Sequence, residues 1–203
     1  MAERVRVGVL VSGRGTNMVA LSEHKRREAR SYDVALVASN VPEARGLVVA
    51  RRLGIPVWAR SHKGLEREEF DHLLDLALRE HDVEMVALAG YMRLLSGEFI
   101  RKWPGRILNI HPSLLPAYKG LDTHRRALEA GEIWVGCSVH LVTEELDGGP
   151  VLAQARVRVR ERETAQQLAE RVLREEHRLY PETLDKYCAR LRPGRVEVLP
   201  PHR

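Results

Sequence analysis

The chain has few cysteines and no recognisable metal-binding motif. Cys137 and Cys188 are the only cysteines among 203 residues, and their separation does not match a metal-ligand spacing. Cys137 lies inside the apolar stretch WVGCSVHLV, where a free cysteine commonly behaves as a small hydrophobic residue. The histidines form no H-E-x-x-H motif and the cysteines no C-x-x-C motif. We therefore expect neither a disulfide nor a bound metal ion.

Long apolar runs and linker-like tracts are missing as well. The amino-terminal stretch MAERVRVGVLVSG is too short in apolar residues to span a bilayer, and its alternation with Arg4, Arg6 and Gly8 is typical of a strand rather than a signal peptide. No tract rich in Gly, Pro or Ser suggests a linker. We expect no membrane partner, a cytoplasmic location and one α/β domain over residues 1–203.

The chain is moderately basic, with a formal net charge of +5. Its densest basic run is His24-Lys25-Arg26-Arg27 with Arg30, which lies in a predicted helix and has no interleaved aromatic residues. Nucleic-acid-binding surfaces commonly combine basic and aromatic side chains. A solvated helix face therefore explains the run better than nucleic-acid binding does, and small molecules are the expected partners.

Short apolar runs alternate with helical patterns in the first half of the chain. Strand-like runs occupy residues 5–11, 34–38, 55–58, 83–89 and 106–110. Helical patterns occupy residues 17–30, 43–53 and 66–81. The last of these places an apolar face at Phe70, Leu73, Leu74, Ala77 and Leu78. This βαβ series predicts a Rossmann-like α/β fold, with a mostly parallel, twisted sheet and helices on both faces.

The pattern changes after residue 131. The stretches WVGCSVHLVT and VLAQARVRVR, separated by the seven-residue loop EELDGGP, predict an antiparallel strand pair near the C-terminal part. The second stretch alternates apolar residues at Val151, Ala153, Ala155, Val157 and Val159 with more polar neighbours. A long helix is predicted at about residues 163–190, followed by a short tail.

The turn after the first strand has the composition of an anion-binding site. It reads SGRGTN, from Ser12 to Asn17, and opens a predicted helix. Gly13 and Gly15 let backbone N–H groups approach a phosphate, and the helix amino terminus adds partial positive charge. The turn is not a Walker loop, and Met18 stands where a dinucleotide fingerprint has its third glycine. We favour the phosphate of a small substrate over NAD, and tight packing of the turn is the structural alternative.

Two polar side chains interrupt the apolar run ILNIHPS at residues 107–113. Successive side chains of a strand point to opposite faces, so Asn109 and His111 share one face near the carboxyl end of the strand. Ligands of open parallel sheets bind beyond these ends, which makes the pair a candidate for catalysis. A buried amide and imidazole bonded only to backbone are the alternative, because buried polar groups generally have such partners.

Asp147 is a candidate partner for His111. It lies in ELDGGP, where Gly148 and Gly149 permit a turn that aims the carboxylate back at the imidazole. A carboxylate beside a histidine favours the charged ring, and such a pair donates protons near neutrality. An Asx-type turn is the alternative for Asp147. His140 in SVHLV is interpreted as a satisfied core histidine that at most supports the site from behind.

The segment AGYMRLLS after the fourth strand carries apolar side chains at Met92, Leu94 and Leu95. These residues either cap the core beside a helix or form an apolar wall for a flat ring system. Arg93 lies among them and is harder to explain by core packing.

Five motifs occur in the order seen in one enzyme family. They are SGRGTN, LAGYMRLLS, ILNIHPSLLPAYKG, HLVTEELDGGPV and EEHRLYP, and the match covers residues 5–188. In these motifs the chain resembles the glycinamide ribonucleotide formyltransferases, purine-pathway enzymes that use 10-formyltetrahydrofolate. NIHPSLLP is specific for folate-dependent formyl transferases, and its combination with SGxGTN and ELDGGP narrows the resemblance to this family. In YKGLDTH, Asp122 stands where many members have a histidine, whereas His124 keeps the second position.

The resemblance implies roles for residues that lie far apart along the chain. The catalytic residues would be Asn109, His111 and Asp147. The substrate would be bound by Gly15, Thr16, Asn17, Leu173, Arg174, Glu175 and Glu176. The folate would be bound by Arg67, Met92, Arg93, Leu94, Leu95, Asn109, Thr143, Glu144, Glu145, Leu146 and Asp147. Residues up to about 110 would then form a phosphate-binding half, and residues from about 111 to 190 a folate-binding and catalytic half.

The implied activity is transfer of a formyl group from the cosubstrate 10-formyltetrahydrofolate to the amine of glycinamide ribonucleotide, in de novo purine biosynthesis. It needs no metal and no covalent intermediate, and the enzyme would be a monomer or a homodimer. One alternative is a 10-formyltetrahydrofolate hydrolase, which needs no phosphate turn and has an additional amino-terminal regulatory domain that we do not expect here. A methionyl-tRNA formyltransferase would have a further carboxyl-terminal domain, and a non-catalytic nucleotide-binding module is the last alternative.

Overall fold

The structure is a computed structural model that describes residues 4–23 and 30–191 of the chain. Residues 24–29 of the predicted helix 17–30 lie outside the described residues, as does the tail after residue 191. Residues 24–27 form most of the basic run that was interpreted as a solvated face. Arg30 is only 4% exposed, so its assignment to a solvated face is wrong. It lies two residues before a buried strand, and Asp185 lies near enough to attract its guanidinium electrostatically.

Seven strands and six helices lie within the described residues. The strands are β1 (Val5–Val11), β2 (Tyr32–Ser39), β3 (Val57–Ala59), β4 (Met85–Leu88), β5 (Ile107–His111), β6 (Trp134–Leu141) and β7 (Val151–Arg158). The helices are α1 (Thr16–Glu23), α2 (Arg45–Arg52), α3 (Arg67–Glu80), α4 (Gly97–Lys102), α5 (Thr123–Glu129) and α6 (Ala165–Arg190).

The strands form one sheet in the order β3-β2-β1-β4-β5-β6-β7. Strands β1 to β5 pair in parallel, whereas β6 is antiparallel to both β5 and β7. The predicted fold class is therefore confirmed, including the antiparallel pair near the C-terminal part.

The sheet separates two apolar layers, as expected for a parallel sheet that is covered on both faces. In β1, Val7 and Val9 face the layer formed with α1, α2 and α6, whereas Leu10 faces the opposite layer. Helices α3 and α4 cover that opposite face with the rings of Phe70 and Phe99. Within the described residues, no helix combines the length and apolar character needed to cross a bilayer.

Several details differ from the sequence predictions. Helices α4 and α5 were not predicted, because each is only about two turns long or less and carries little periodic signal. The connection between β6 and β7 contains the nine residues 142–150 rather than seven, because β6 ends at Leu141. Leu73 is only half-buried on α3, although it was predicted to lie on the inner face of that helix.

The direction of strand addition reverses at β1, and this reversal positions the candidate site. The chain runs from β1 to β2 and β3 on one side and then returns to β4 on the other side of β1. Open α/β sheets bind ligands outside the carboxyl ends of their strands at such a point. The turn SGRGTN follows β1 and the segment AGYMRLLS follows β4, so the two candidate segments lie at the same edge of the sheet.

Candidate active site

The antiparallel pairing of β5 and β6 fixes two of the candidate side chains. Asn109 lies opposite His140, and His111 lies opposite Ser138. Asn109 and His111 therefore point to the same face of the sheet, as their spacing predicts. His111 is only 6% exposed, so its ring nitrogens need hydrogen-bonding partners.

His111 has an oxygen acceptor at each ring nitrogen. Its Nδ1 lies 3.3 Å from Oδ2 of Asp147, and its Nε2 lies 3.0 Å from the carbonyl oxygen of Tyr118. A neutral imidazole has one N–H and can donate to only one of these oxygens, whereas an imidazolium donates to both. An acceptor oxygen is therefore in place at each nitrogen of the ring.

Asp147 reaches the strand pair from the connection between β6 and β7. Its backbone has a φ of 48°, a left-handed conformation in which aspartate is one of the less disfavoured residues. A Cβ atom at Gly149 would overlap the carbonyl oxygen of Leu141, so the chain needs a glycine there to pass this close to β6. The turn thus directs the carboxylate toward His111, as predicted.

The surroundings of Asp147 keep its carboxylate ionised. Its Oδ2 accepts a hydrogen bond of 2.9 Å from the Gly120 N–H, and its Oδ1 lies 3.5 Å from Nε2 of His140. Burial acts to raise the pKa of Asp147, but the ring of His140, the Gly120 N–H and the nearby His111 together outweigh burial and lower that pKa.

His140 supports both neighbours from a position that is 2% exposed. Its Nδ1 lies 2.9 Å from the Leu141 carbonyl oxygen, which makes Nδ1 a donor. Its Nε2 lies 3.2 Å from Nδ2 of Asn109 and 3.5 Å from Oδ1 of Asp147, within reach of both groups. This arrangement agrees with the interpretation of His140 as a satisfied histidine behind the site.

The turn after β1 approaches the start of α2 closely. Gly15 has a φ of +74°, and a Cβ atom there would lie 2.7 Å from the Cα of Gly46. The Gly46 N–H donates to the Gly13 carbonyl oxygen at 2.9 Å. Gly15 therefore serves the packing of the turn, the alternative raised by the sequence, whereas a Cβ atom at Gly13 would meet nothing within 4 Å. This geometry is also compatible with an anion at the start of α1.

A buried amide and carboxylate lie next to this turn. Nδ2 of Asn17 donates to Oε2 of Glu176 at 2.7 Å, and Oδ1 of Asn17 is buried without a hydrogen-bond partner among the described atoms. Burial raises the pKa of Glu176, against the smaller opposing effect of the Asn17 hydrogen bond. One turn later in α6, the Tyr180 hydroxyl donates to the Leu108 carbonyl oxygen at 3.0 Å and fixes the helix against β5.

One cavity of about 870 Å³ joins these groups. The predicted site residues that line it are Asn17, Arg67, Met92, Arg93, Leu94, Leu95, Asn109, His111, Thr143, Glu144, Glu145, Leu146, Asp147 and Glu176. Met92 and Leu94 are 68% and 54% exposed, so they form an apolar wall rather than a core cap. The cavity size suits a cofactor-sized molecule.

Five other predicted binding residues do not belong to the lining of this cavity among the described residues. Gly15 and Thr16 directly precede Asn17 at the start of α1. Leu173, Arg174 and Glu175 precede Glu176 on α6, and Glu175 forms an ion pair of 3.0 Å with Arg178.

Sequence reasoning missed the part played by the segment between β5 and α5. The Tyr118 carbonyl oxygen and the Gly120 N–H bond His111 and Asp147, and Leu121 and His124 line the cavity. Backbone donors and acceptors leave no signature in side-chain chemistry, although the glycine in YKGLDTH marks a turn. Among residues 4–23 and 30–191, no group of three or more His, Cys, Asp or Glu residues is arranged to hold a metal ion.

Comparisons with known proteins agree with one another. The family model described as formyl transferase matches residues 5–184. The trifunctional purine biosynthetic protein adenosine-3 of Gallus gallus is 46% identical over 196 residues, which are 96% of this chain and 19% of that protein. The phosphoribosylglycinamide formyltransferase of Escherichia coli (strain K12) is 42% identical over 178 residues, which are 87% of this chain and 84% of that protein.

Solved structures give the same result. The crystal structure of phosphoribosylglycinamide formyltransferase from Brucella melitensis is similar, with a TM-score of 0.88 and 47% identity, and the match covers 92% of this chain and 97% of that chain. The chain spans about a fifth of the length of the trifunctional relatives that it matches.

Proposed function

The chain belongs to the formyl transferase family, and from this premise we propose that it transfers the formyl group of 10-formyltetrahydrofolate to the amine of glycinamide ribonucleotide. The observation that carries the proposal is the convergence of Asn109, His111 and Asp147 at the rim of a cavity that also reaches Asn17 and Glu176. Transfer between two small molecules needs a catalytic centre beside room for both substrates, and the position of these side chains along one cavity of about 870 Å³ supports the proposal.

The reaction forms one C–N bond and breaks another. The glycinamide amine attacks the formyl carbon, and the carbonyl oxygen becomes negative in the tetrahedral intermediate. Collapse of this intermediate breaks the bond to N10 of the folate, and a proton lost by the amine ends on that nitrogen. Fixed hydrogen-bond donors stabilise the developing oxyanion better than mobile water does.

Asn109 and His111 are the proposed oxyanion donors. The amide nitrogen of Asn109 has two hydrogens, and one of them is directed to His140. The protonated ring of His111 donates through Nε2, which in this structure is bonded to the Tyr118 carbonyl oxygen. The proposal therefore requires the formyl oxygen to replace that carbonyl when the substrates bind. Active-site hydrogen bonds commonly rearrange in this way on substrate binding.

Asp147 has two proposed tasks. Its carboxylate lies beside the His111 ring and stabilises the imidazolium, and it carries the proton of the attacking amine toward the leaving folate nitrogen. The lowered pKa of Asp147 keeps the carboxylate ionised near neutrality, as a proton acceptor must be.

The two substrates are proposed to occupy opposite ends of the cavity. The phosphate lies at Gly15 to Asn17, and the ribose and glycinamide end lies near Glu176 and its neighbours from Leu173 onward. The folate ring system lies between the Met92–Leu95 wall and residues 143–147, with its glutamate tail toward Arg67. A phosphate-binding half up to about residue 110 and a folate-binding and catalytic half from about 111 to 190 follow from this arrangement.

An assay with the purified chain tests the proposal. The chain is incubated with 10-formyltetrahydrofolate, with and without glycinamide ribonucleotide, and formyl transfer and formate release are both measured. We expect formyl transfer to the nucleotide and little formate. Formate release that does not depend on the acceptor would instead indicate a hydrolase, and binding without turnover would indicate a non-catalytic module.

The phosphate assignment has its own control. Glycinamide riboside, which lacks the phosphate, should be a poor acceptor with a raised KM, because the start of α1 then has no anion to bind. The remaining elements of the proposal are a cytoplasmic location, a monomer or homodimer and catalysis without a metal.

A further inference from the structure

Ser12 belongs to the turn that the proposed function assigns to the substrate phosphate, but its side chain serves the opposite end of the cavity. Its hydroxyl oxygen accepts a hydrogen bond of 2.8 Å from the Met92 N–H. The Ser12 N–H donates to the carbonyl oxygen of Gly90 at 3.1 Å. Both bonds join the end of β1 to the segment that follows β4.

The Ser12 hydroxyl is itself held in one orientation. It donates to Oδ1 of Asn40 at 2.6 Å, and Asn40 is only 3% exposed. The Asn40 amide presents its oxygen to Ser12 and its nitrogen toward Nδ1 of His62, 3.1 Å away, and that Nδ1 also lies 3.0 Å from the backbone carbonyl oxygen of Asn40. With its one hydrogen used toward Asn40, the hydroxyl is left with lone pairs that face Met92.

Met92 begins the apolar wall assigned to the folate. Its side chain is 68% exposed and lines the cavity, so packing of this side chain does little to hold the backbone in place. Further along the wall, the Arg93 guanidinium lies 5.1 Å from the centre of the Phe70 ring. The hydrogen bond that the Met92 N–H donates to Ser12 therefore fixes the first residue of the wall, and the contact of Arg93 with Phe70 fixes the second.

We propose that Ser12 is a positioning residue for the folate, acting through the Met92 backbone, although it lies in the phosphate turn. The proposal rests on the proposed function, since that function assigns the Met92–Leu95 wall to the folate. It makes a kinetic distinction that the sequence motif does not make. A serine that serves the phosphate affects the KM for glycinamide ribonucleotide, whereas a serine that positions the wall affects the KM for the folate.

Steady-state kinetics of Ser12→Ala separate the two possibilities. We expect the KM for 10-formyltetrahydrofolate to rise roughly fivefold to tenfold, the usual effect of losing one hydrogen bond. The KM for glycinamide ribonucleotide and kcat should stay within about twofold of the native values. The substitution weakens folate binding equally in the ground state and the transition state, and such a loss raises the folate KM without changing kcat. Ser12→Thr keeps the hydroxyl and should restore most of the folate KM.

Ser22→Ala is the matched control. The Ser22 hydroxyl donates to the Met18 carbonyl oxygen within α1 and has no contact with the wall, so both KM values should remain native. A rise in the nucleotide KM of Ser12→Ala that equals or exceeds the rise in the folate KM would overturn the proposal. So would an unchanged folate KM.

Hydrogen exchange tests the bond without any substitution. In the native chain the Met92 amide hydrogen should exchange slowly although the side chain is exposed, because the hydrogen is bonded to Ser12. In Ser12→Ala it should exchange faster. Rapid exchange in the native chain would refute the positioning role even if Ser12→Ala did not fold. This readout needs no turnover, so failure of the proposed function in the formyl-transfer assay remains distinguishable from failure of this inference.

Discussion

Strand β5 and the connection of residues 142–150 hold the proposed catalytic side chains in different ways. Asn109 and His111 lie on a strand that is hydrogen-bonded on both sides, to β4 and to β6. Asp147 lies in a nine-residue connection between β6 and β7, in which residues 143–146 are exposed. The strand positions its residues through the sheet register, whereas the connection depends on a few individual contacts.

The difference shows where the site is sensitive to substitution. On the strand, a lost side chain should remove a chemical group and leave its neighbours in place, because the ladder remains. In the connection, a backbone change should displace Asp147 as a whole, since one close approach at Gly149 and one bond from Gly120 determine its position. Substitutions on the strand should therefore remove a reacting group, whereas backbone substitutions in the connection should misplace one.

The largest effect is expected on the strand. Asn109→Ala and His111→Ala each remove one proposed oxyanion donor, and kcat should fall by about 10²–10³. Circular dichroism should show a native fold for both variants. His72→Ala, at an exposed histidine of α3, is the control and should keep native turnover. Near-native kcat in either strand variant would contradict the assigned roles.

A backbone change should produce the next largest effect. Gly149→Ala places a Cβ atom against the Leu141 carbonyl oxygen and should destabilise the chain by about 1–3 kcal/mol while lowering kcat. Gly148→Ala is the matched control, because the three atoms nearest to its Cβ would all belong to the flexible side chain of Glu145 rather than to backbone. Urea unfolding and turnover measure both variants. Equal losses in the two would mean that the close approach to β6 is not what places Asp147.

Asp147 in the connection and Glu176 on α6 should respond to pH in opposite directions. The folded pKa of Asp147 is lowered, so its contribution to stability is present above the ordinary value of 3.8 and is lost as the pH falls through the folded pKa. The folded pKa of Glu176 is raised, so its contribution is present below the ordinary value of 4.5 and is lost as the pH rises through the folded pKa.

Unfolding free energies measured from acid to neutral pH check these signs. As the pH falls below 3.8, the native chain should lose unfolding free energy relative to Asp147→Asn. As the pH rises above 4.5, the native chain should lose unfolding free energy relative to Glu176→Gln. Parallel pH profiles of the native chain and either variant would show that the corresponding carboxyl group is not perturbed in the folded state.

The smallest effect is expected at the exposed ion pairs of the connection. Lys119 and Glu145 lie 2.7 Å apart, with side chains that are 35% and 70% exposed. Lys119→Gln should change the unfolding free energy by at most about 0.5 kcal/mol, and the change should vanish at high salt. A larger, salt-independent change would mean that this pair, rather than Gly149, holds the connection.

The strand side of the site is more predictable from sequence than the loop side. A period of two places Asn109 and His111 on one face regardless of other details, and the alternation of strands and helices places that face at the ligand-binding edge. The proximity of Asp147 to His111 was a hypothesis, because a loop carries no such periodicity. The hydrogen bonds of His111 to the Tyr118 carbonyl oxygen and of Asp147 to the Gly120 N–H could not be predicted, since backbone groups of this kind occur along the whole chain.

The same reasoning explains the errors in the fold. Arg30 is buried near Asp185, a residue more than 150 positions away in sequence, and local charge patterns do not contain such a contact. Leu73 fits the apolar spacing of α3, but the structure leaves it only half-buried. Tertiary position overrides local pattern at both residues.

The most direct test of the account compares two aspartates with similar backbones. Asp147 and Asp82 both have left-handed φ values, of 48° and 50°, but Asp82 is exposed in the turn that precedes β4, away from the carboxyl ends of the strands. Single-turnover formyl transfer should slow by about 10²–10³ in Asp147→Asn and remain native in Asp82→Asn. Native transfer rates in both variants would contradict the central claim that the Asp147 carboxylate, brought to His111 by the connection, takes part in the reaction.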